Sequence, residues 1–124
     1  MYKTWLIRAG KNGELWPEWK KNKIVTIGWD VGNIRKEALT GEEVTKKIKE
    51  RYPNYSSPEK AAEMILRFLG HHEDEKMESG DYVVVQGNQS IEAIAKINDP
   101  DYNPDGLNDN TSHTYWRDVE FLTT

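Results

Sequence analysis

The stretch from Trp5 to Asp30 sets the terms for any fold of this chain. It reads WLIRAG, then KNGELWPEWKKNK, then IVTIGWD. A strand over Lys3 to Arg8 ends in Arg8-Ala9-Gly10. A short tryptophan-bearing helix opens at Asn12 or Gly13 and runs to about Asn22, and a second strand over Ile24 to Ile27 closes at Gly28. Pro17 suits that helix only in its first turn, where its missing N–H has no intrahelical acceptor to leave unpaired. If the two strands are neighbours, the cation of Arg8, a carboxylate, small residues and the indole of Trp29 converge on one rim. Those groups are equipped to hold a flat ligand with a polar edge, such as a nucleobase.

The rest of the chain supplies the other layers. Thr40-Gly41-Glu42-Glu43 is a capping box, and the helix it opens ends near Tyr52-Pro53. Ser57-Pro58 opens a further helix with Ala61, Ala62, Ile65, Leu66, Phe68 and Leu69 on a wide apolar face, stopping at Gly70. Gly80-Asp81 leads into a strand from Tyr82 to Gln86, and Gly87-Asn88 turns the chain into a strand from Ser90 to Ile97. In that strand Ile91, Ala93, Ala95 and Ile97 share one face, and Glu92 and Lys96 share the other with Ile94 between them. A polar loop from Asn98 to Ser112 precedes a last strand, Tyr115 to Phe121, in which Tyr115, Val119 and Phe121 share a face with Arg117 between. Two strands split by a helix, then two helices, then three strands in antiparallel order make an α+β chain. About five to six short strands fit best in a strongly twisted pseudo-barrel with about three helices packed outside, and closure of the barrel would remove the exposed sheet edges.

Composition excludes several alternatives. The 124 residues make one domain over 1–124, either free-standing or a module cut from a longer protein. No apolar run is long enough to span a bilayer and no signal peptide is present, so no membrane partner is expected. Cysteine is absent, which removes disulfides and thiolate metal sites and fits a reducing, cytoplasmic interior. A net charge of -4 argues against a broad nonspecific nucleic-acid surface. The charge is nevertheless uneven: Lys20, Lys21, Lys23, Arg35, Lys36, Lys46, Lys47, Lys49 and Arg51 lie in the first half, and the acid gathers at 73–78 and 99–109. Five Trp and six Tyr exceed what a core of this size needs.

WLIRAG, GELW and IGWD, followed by a helical middle, SGDYVVVQG and a closing HTYWRDVEF, resemble the EVE-like branch of the PUA superfamily. That branch is related to the YTH readers and to the N-terminal domains of modification-dependent restriction proteins of the McrBC and Mrr type. The resemblance covers nearly the whole chain. It implies a pseudo-barrel that binds a modified base, flipped out of DNA or presented by RNA, in an aromatic pocket. Trp29 matches the cage tryptophan that closes the second strand of YTH domains. Arg8 and Ala9 match the Lys-Ser pair that ends their first strand, and Gly10 follows that pair. Glu14 falls where those domains place an Asn or Asp on the base edge, and Asp30 matches a small hydroxyl residue. Ala9 and Asp30 depart from the family pattern and change the hydrogen bonds on offer. Trp16, Tyr102 and Trp116 are the candidates for a second cage wall.

The chemistry of such a site follows from its residue types. An indole stacked on a base contributes roughly 1–3 kcal/mol, about what flipping the base costs, so edge hydrogen bonds must add the selectivity. A carboxylate such as Glu14 or Asp30 accepts from an exocyclic amino group, which adenine and cytosine have and thymine lacks. An N-methylated adenine keeps one such N–H and needs an apolar wall for its methyl. Arg8 serves a phosphate or pairs with Glu14. Against these readings, Trp29 would otherwise cap the barrel end, Trp16 and Trp19 would anchor the short helix, and Trp116 would be a half-exposed strand residue.

Rival chemistries are less well formed. Asp99 to Asn110 spaces oxygens like a calcium loop but has Pro104 and Asn110 where glycine and a bidentate glutamate are needed. His71-His72-Glu73-Asp74 has metal-ligand types but no matching cluster elsewhere. Glu75-Lys76 with a nearby Asp is the nuclease alternative. The expected function is therefore noncatalytic recognition, without metal or cofactor. Its partner would be a nucleic acid carrying 6-methyladenine or, second, 5-methylcytosine, with DNA favoured over RNA. An NTPase motor or nuclease would supply any catalysis. The remaining alternative is a protein-interaction domain with a tryptophan docking patch.

Overall fold

A computed structural model describes residues 2–28, 40–70, 76–98 and 115–123. The elements are β1 (Thr4–Arg8), α1 (Trp16–Asn22), β2 (Ile24–Ile27), α2 (Gly41–Arg51), α3 (Pro58–Leu69), β3 (Tyr82–Gln86), β4 (Ile91–Ile97) and β5 (Tyr115–Thr123). The chain is α+β, with a five-stranded mixed sheet in the order β1-β3-β4-β5-β2 curved into a half-barrel, and three helices. β1 runs parallel to β3, and every other pairing is antiparallel. Among the described residues no helix is long and apolar enough to cross a membrane.

The registers explain the core. Trp5 lies opposite Val83, Val83 opposite Ala95 and Ala95 opposite Phe121, so one face carries an apolar row across four strands. Ile7, Val85 and Ala93 form the next row, and Ile97 meets Val119. Small Ala93 and Ala95 in the middle of the sheet leave room for the large side chains on either side. β2 is buried along Ile24, Val25 and Thr26, and so is covered on both faces.

α2 and α3 form as expected. Thr40 accepts from the amide of Glu43 at 3.2 Å, and the Glu43 carboxylate accepts from the amide of Thr40 at 3.1 Å. In α3 Pro58 opens the helix, the apolar stripe is buried, and Gly70 ends it at φ 80. α1 begins later than the sequence predicts, at Trp16 rather than Asn12 or Gly13. Gly10 and Gly13 adopt left-handed conformations at φ 83 and 77, which keeps the chain in turns until Leu15. Pro17 sits in the first turn, as expected. Ile91 does not join the buried face; it is 57% exposed, because the β3–β4 register shifts at Val85/Gln86. Barrel closure is not seen among the described residues, where β1 and β2 remain separate edges.

Two buried charges fasten the layers. Arg117 is 2% exposed and shares the core face of β5 with Tyr115 and Val119. Its Nη1 donates to the carbonyl of Phe68 at 2.9 Å and of Met77 at 2.9 Å. A cation at the C-terminal end of α3 also meets the negative end of the helix dipole. Asp81 is fully buried just before β3. Its carboxylate accepts from the amide of Lys3 at 3.1 Å, the indole of Trp5 at 2.9 Å and the amide of Glu78 at 3.0 Å. Burial alone would raise its pKa. The donors from Trp5, Glu78 and Lys3, with the charge of Lys3, outweigh that and hold it below the ordinary value.

Arg117→Met should orphan two carbonyls and lower stability by roughly 1–3 kcal/mol for each, measured by urea unfolding. Asp81→Asn should cost roughly 1–3 kcal/mol at neutral pH. Because the folded-state pKa is depressed, Asp81 contributes fully above the ordinary carboxylate value of about 3.9 and less as pH falls through its folded-state pKa. The gap between wild type and Asp81→Asn should therefore narrow in strong acid, which unfolding curves at neutral and acid pH will check.

Candidate functional site

The turn between β1 and α1 is rigid for reasons visible atom by atom. The amide of Ala9 donates to the carbonyl of Gln86 at 2.8 Å, extending the β1–β3 ladder. The carbonyl of Ala9 accepts from the amide of Leu15 at 3.0 Å, tying the strand end to the start of α1. Ala9 is fully buried. At Gly10 an added Cβ would lie 2.5 Å from the Glu14 carboxyl carbon. At Gly13 it would lie 2.7 Å from the amide nitrogen of Asn88, so the turn packs closely on the β3–β4 turn. The sequence points to these residues but not to the role of Gly87-Asn88, since its turn signal says nothing about a distant partner.

α1 carries two tryptophans with different tasks. Trp19 is fully buried and its indole donates to Thr26 Oγ1 on β2 at 2.9 Å. It is the helix anchor that the sequence predicts. Trp16 is half-buried, with its ring edge-on to Phe121 at 5.2 Å between centroids and 90° between planes. Through Leu15 and Trp19 the helix bonds to the end of one edge strand and to the side of the other. Trp116 is half-buried on β5, opposite Thr26.

The polar residues separate into engaged and available. Glu14 is exposed, but its carboxylate accepts from the amides of Asn12 at 2.7 Å and Lys11 at 3.2 Å. It folds back on its own turn, and a base-edge role would have to compete with those bonds. Arg8 is exposed at the end of β1 and forms no ion pair among the described residues, so the expected alternative pairing with Glu14 is not present. Lys20, Lys21 and Lys23 are exposed at the end of α1 and just beyond it.

The expected meeting of the two strand ends on one rim needs correction. β1 and β2 occupy opposite edges of the sheet, with β3, β4 and β5 between them in the ladder. Following the strand senses across that order, β2 runs opposite to β1. The C-terminal end of β1 therefore lies with the β3–β4 turn, and that of β2 with the start of β5, where Ile27 faces Tyr115. Sequence-adjacent strands are separated because β1 finds its partner in β3. Trp29, Asp30 and Tyr102 lie outside the described residues, as do 71–75 and 99–110. Among the described residues there is no group of three or more metal-ligating side chains.

Gly13→Ala should lower stability by roughly 1–2 kcal/mol from the left-handed backbone alone, and more from the contact with Asn88. Asn12→Ala, whose exposed side chain has no such constraint, should stay within about 0.5 kcal/mol of wild type. Thermal melts of the two variants compare them directly.

No curated protein and no solved structure is detectably similar to this chain. A family model described as "Domain of unknown function (DUF8426)" matches residues 2–124, nearly the whole sequence, and the chain belongs to that family.

Proposed function

We propose that this chain is a PUA/EVE-like, noncatalytic module that binds a modified base presented out of a nucleic-acid strand. The observation that carries the reading is the β1–α1 turn. Its small residues, Ala9 and Gly10, are pinned between a strand and a helix. Arg8 stands exposed beside them, and α1 mounts a partly exposed indole, Trp16, braced by Phe121. A site held this rigidly loses little freedom on binding, so more of the stacking energy is available for affinity.

Within this reading Trp16 is the aromatic wall at this turn, and Trp29, which follows β2 from the opposite end of the ladder, is not counted into it. Arg8 contacts a phosphate, and among the described residues no ion pair competes for it. Lys20, Lys21 and Lys23 extend the basic face toward the strand. The base is 6-methyladenine first and 5-methylcytosine second, and DNA is the favoured polymer, with an NTPase motor or nuclease as the partner that acts on it.

The test is a binding panel of duplexes and single strands, with and without each methylated base. One modified duplex should bind best, and Trp16→Ala should weaken it roughly tenfold or more, the value of one stacked aromatic. Equal binding to modified and unmodified strands would sink base reading. Magnesium-dependent cleavage by the chain alone would favour an enzyme, and absence of all oligonucleotide binding would favour a protein-interaction domain.

A further inference from the structure

The two edges of the half-barrel are built differently. β2 is short, buried on both faces, and bonded to α1 through Thr26. β1 alternates exposed and half-buried residues, with Thr4, Leu6 and Arg8 exposed. Lys3 and Ala9 hydrogen-bond to β3 at its two ends, through the Lys3 carbonyl to Tyr82 and the Ala9 amide to Gln86. Main-chain groups alternate in direction along a strand, so Lys3, Trp5, Ile7 and Ala9 face β3. The N–H and C=O groups of Thr4, Leu6 and Arg8 face outward, and among the described residues they have no partner. An unpaired edge of this kind is a template for another strand.

Side chains say which strand fits. Leu6 is 64% exposed and lies opposite Val84, which lies opposite Ile94 at 39% exposed. The row is apolar and runs out to the free edge, on the sheet face away from the core. Leu6 is also the middle residue of the three that face outward. We propose that β1 pairs antiparallel with β1 of a second copy of this chain, about a two-fold axis at Leu6. In that register Leu6 meets Leu6 of the second copy, and Thr4 meets Arg8 of the second copy. Each pair exchanges both main-chain bonds, as hydrogen-bonded antiparallel pairs do. The apolar row then continues without a break from Ile94 through Val84 and Leu6 into the second copy. Shifting the axis to Arg8 would set two guanidinium groups against each other, and only the register centred on Leu6 sets the two apolar rows end to end. An unrelated peptide would need no such symmetry about Leu6. A self-complementary patch is what a two-fold dimer requires.

The interface is one strand wide, so the dimer is a weak one, in the class of small interfaces. Sedimentation velocity of the intact chain, from micromolar to millimolar concentration, should show a monomer–dimer equilibrium. Leu6→Glu should be monomeric at every concentration while keeping the wild-type circular dichroism and melting temperature. Amide hydrogen exchange gives a second readout. The outward amides of Thr4, Leu6 and Arg8 should exchange more slowly in the dimer than in the monomer, because each gains a main-chain acceptor. A wild-type chain that stays monomeric throughout overturns the proposal. So does a dimer that survives Leu6→Glu, or one whose Thr4, Leu6 and Arg8 amides exchange no more slowly than in the monomer.

Discussion

The buried guanidinium of Arg117 is the constraint around which the layers are arranged. Taking a charge out of water costs several kcal/mol, and only good hydrogen bonds with well-placed dipoles offset that. Here the bonds come from the carbonyls of Phe68 and Met77, one at the end of α3 and one in the approach to β3. A shift of α3, of β5 or of the segment between them would leave the charge buried without those acceptors. Asp81 imposes the same kind of condition four residues further on, binding Lys3, Trp5 and Glu78. The segment 77–81 is thus gripped by a buried cation on one side and a buried anion on the other. It is the seam between the helical layer and the sheet, and Gly80 extends the grip by donating to the carbonyl of Ile97 at 2.7 Å.

That seam fixes β3, and β3 in turn fixes β1. The parallel ladder from Thr4–Tyr82 to Arg8–Gln86 carries the strand end to the β3–β4 turn, where Gly13 packs on Asn88. The candidate binding turn is therefore as rigid as the core that supports it. α1 completes the connection, since Trp19 ties it to Thr26 on the far edge strand. Rigidity of this sort is what recognition by stacking requires, because loose walls would spend binding energy on becoming ordered.

Local signals in the sequence were sufficient for local structure. The Thr40–Glu43 box, Pro58 and Gly70 around α3, and the alternation of β3 and β4 each locate an element by chemistry within a few residues. What depends on distant partners was not legible. Arg117 reads as a cation among apolar neighbours, yet it caps α3 through the carbonyl of Phe68, 49 residues away in the chain. The parallel choice of β1 for β3, which separates the ends of β1 and β2, has no local signature either. By position Glu14 suggests a ligand contact, whereas its carboxylate accepts from the amides of its own turn. At the candidate site, Arg8, Ala9, Gly10 and Trp16 are legible from sequence as candidates. The contribution of Gly13 and Asn88 came only from their close approach.

Base recognition at the β1–α1 turn can be mapped directly by titrating the isotope-labelled chain with duplexes carrying 6-methyladenine or 5-methylcytosine and following amide and indole resonances. If the turn is the site, the largest changes for the preferred duplex should fall on the amides of Arg8, Ala9 and Gly10 and on the indole N–H of Trp16. The unmodified duplex should leave them nearly still. Changes confined to α2 and α3, or identical changes with modified and unmodified duplexes, would contradict it.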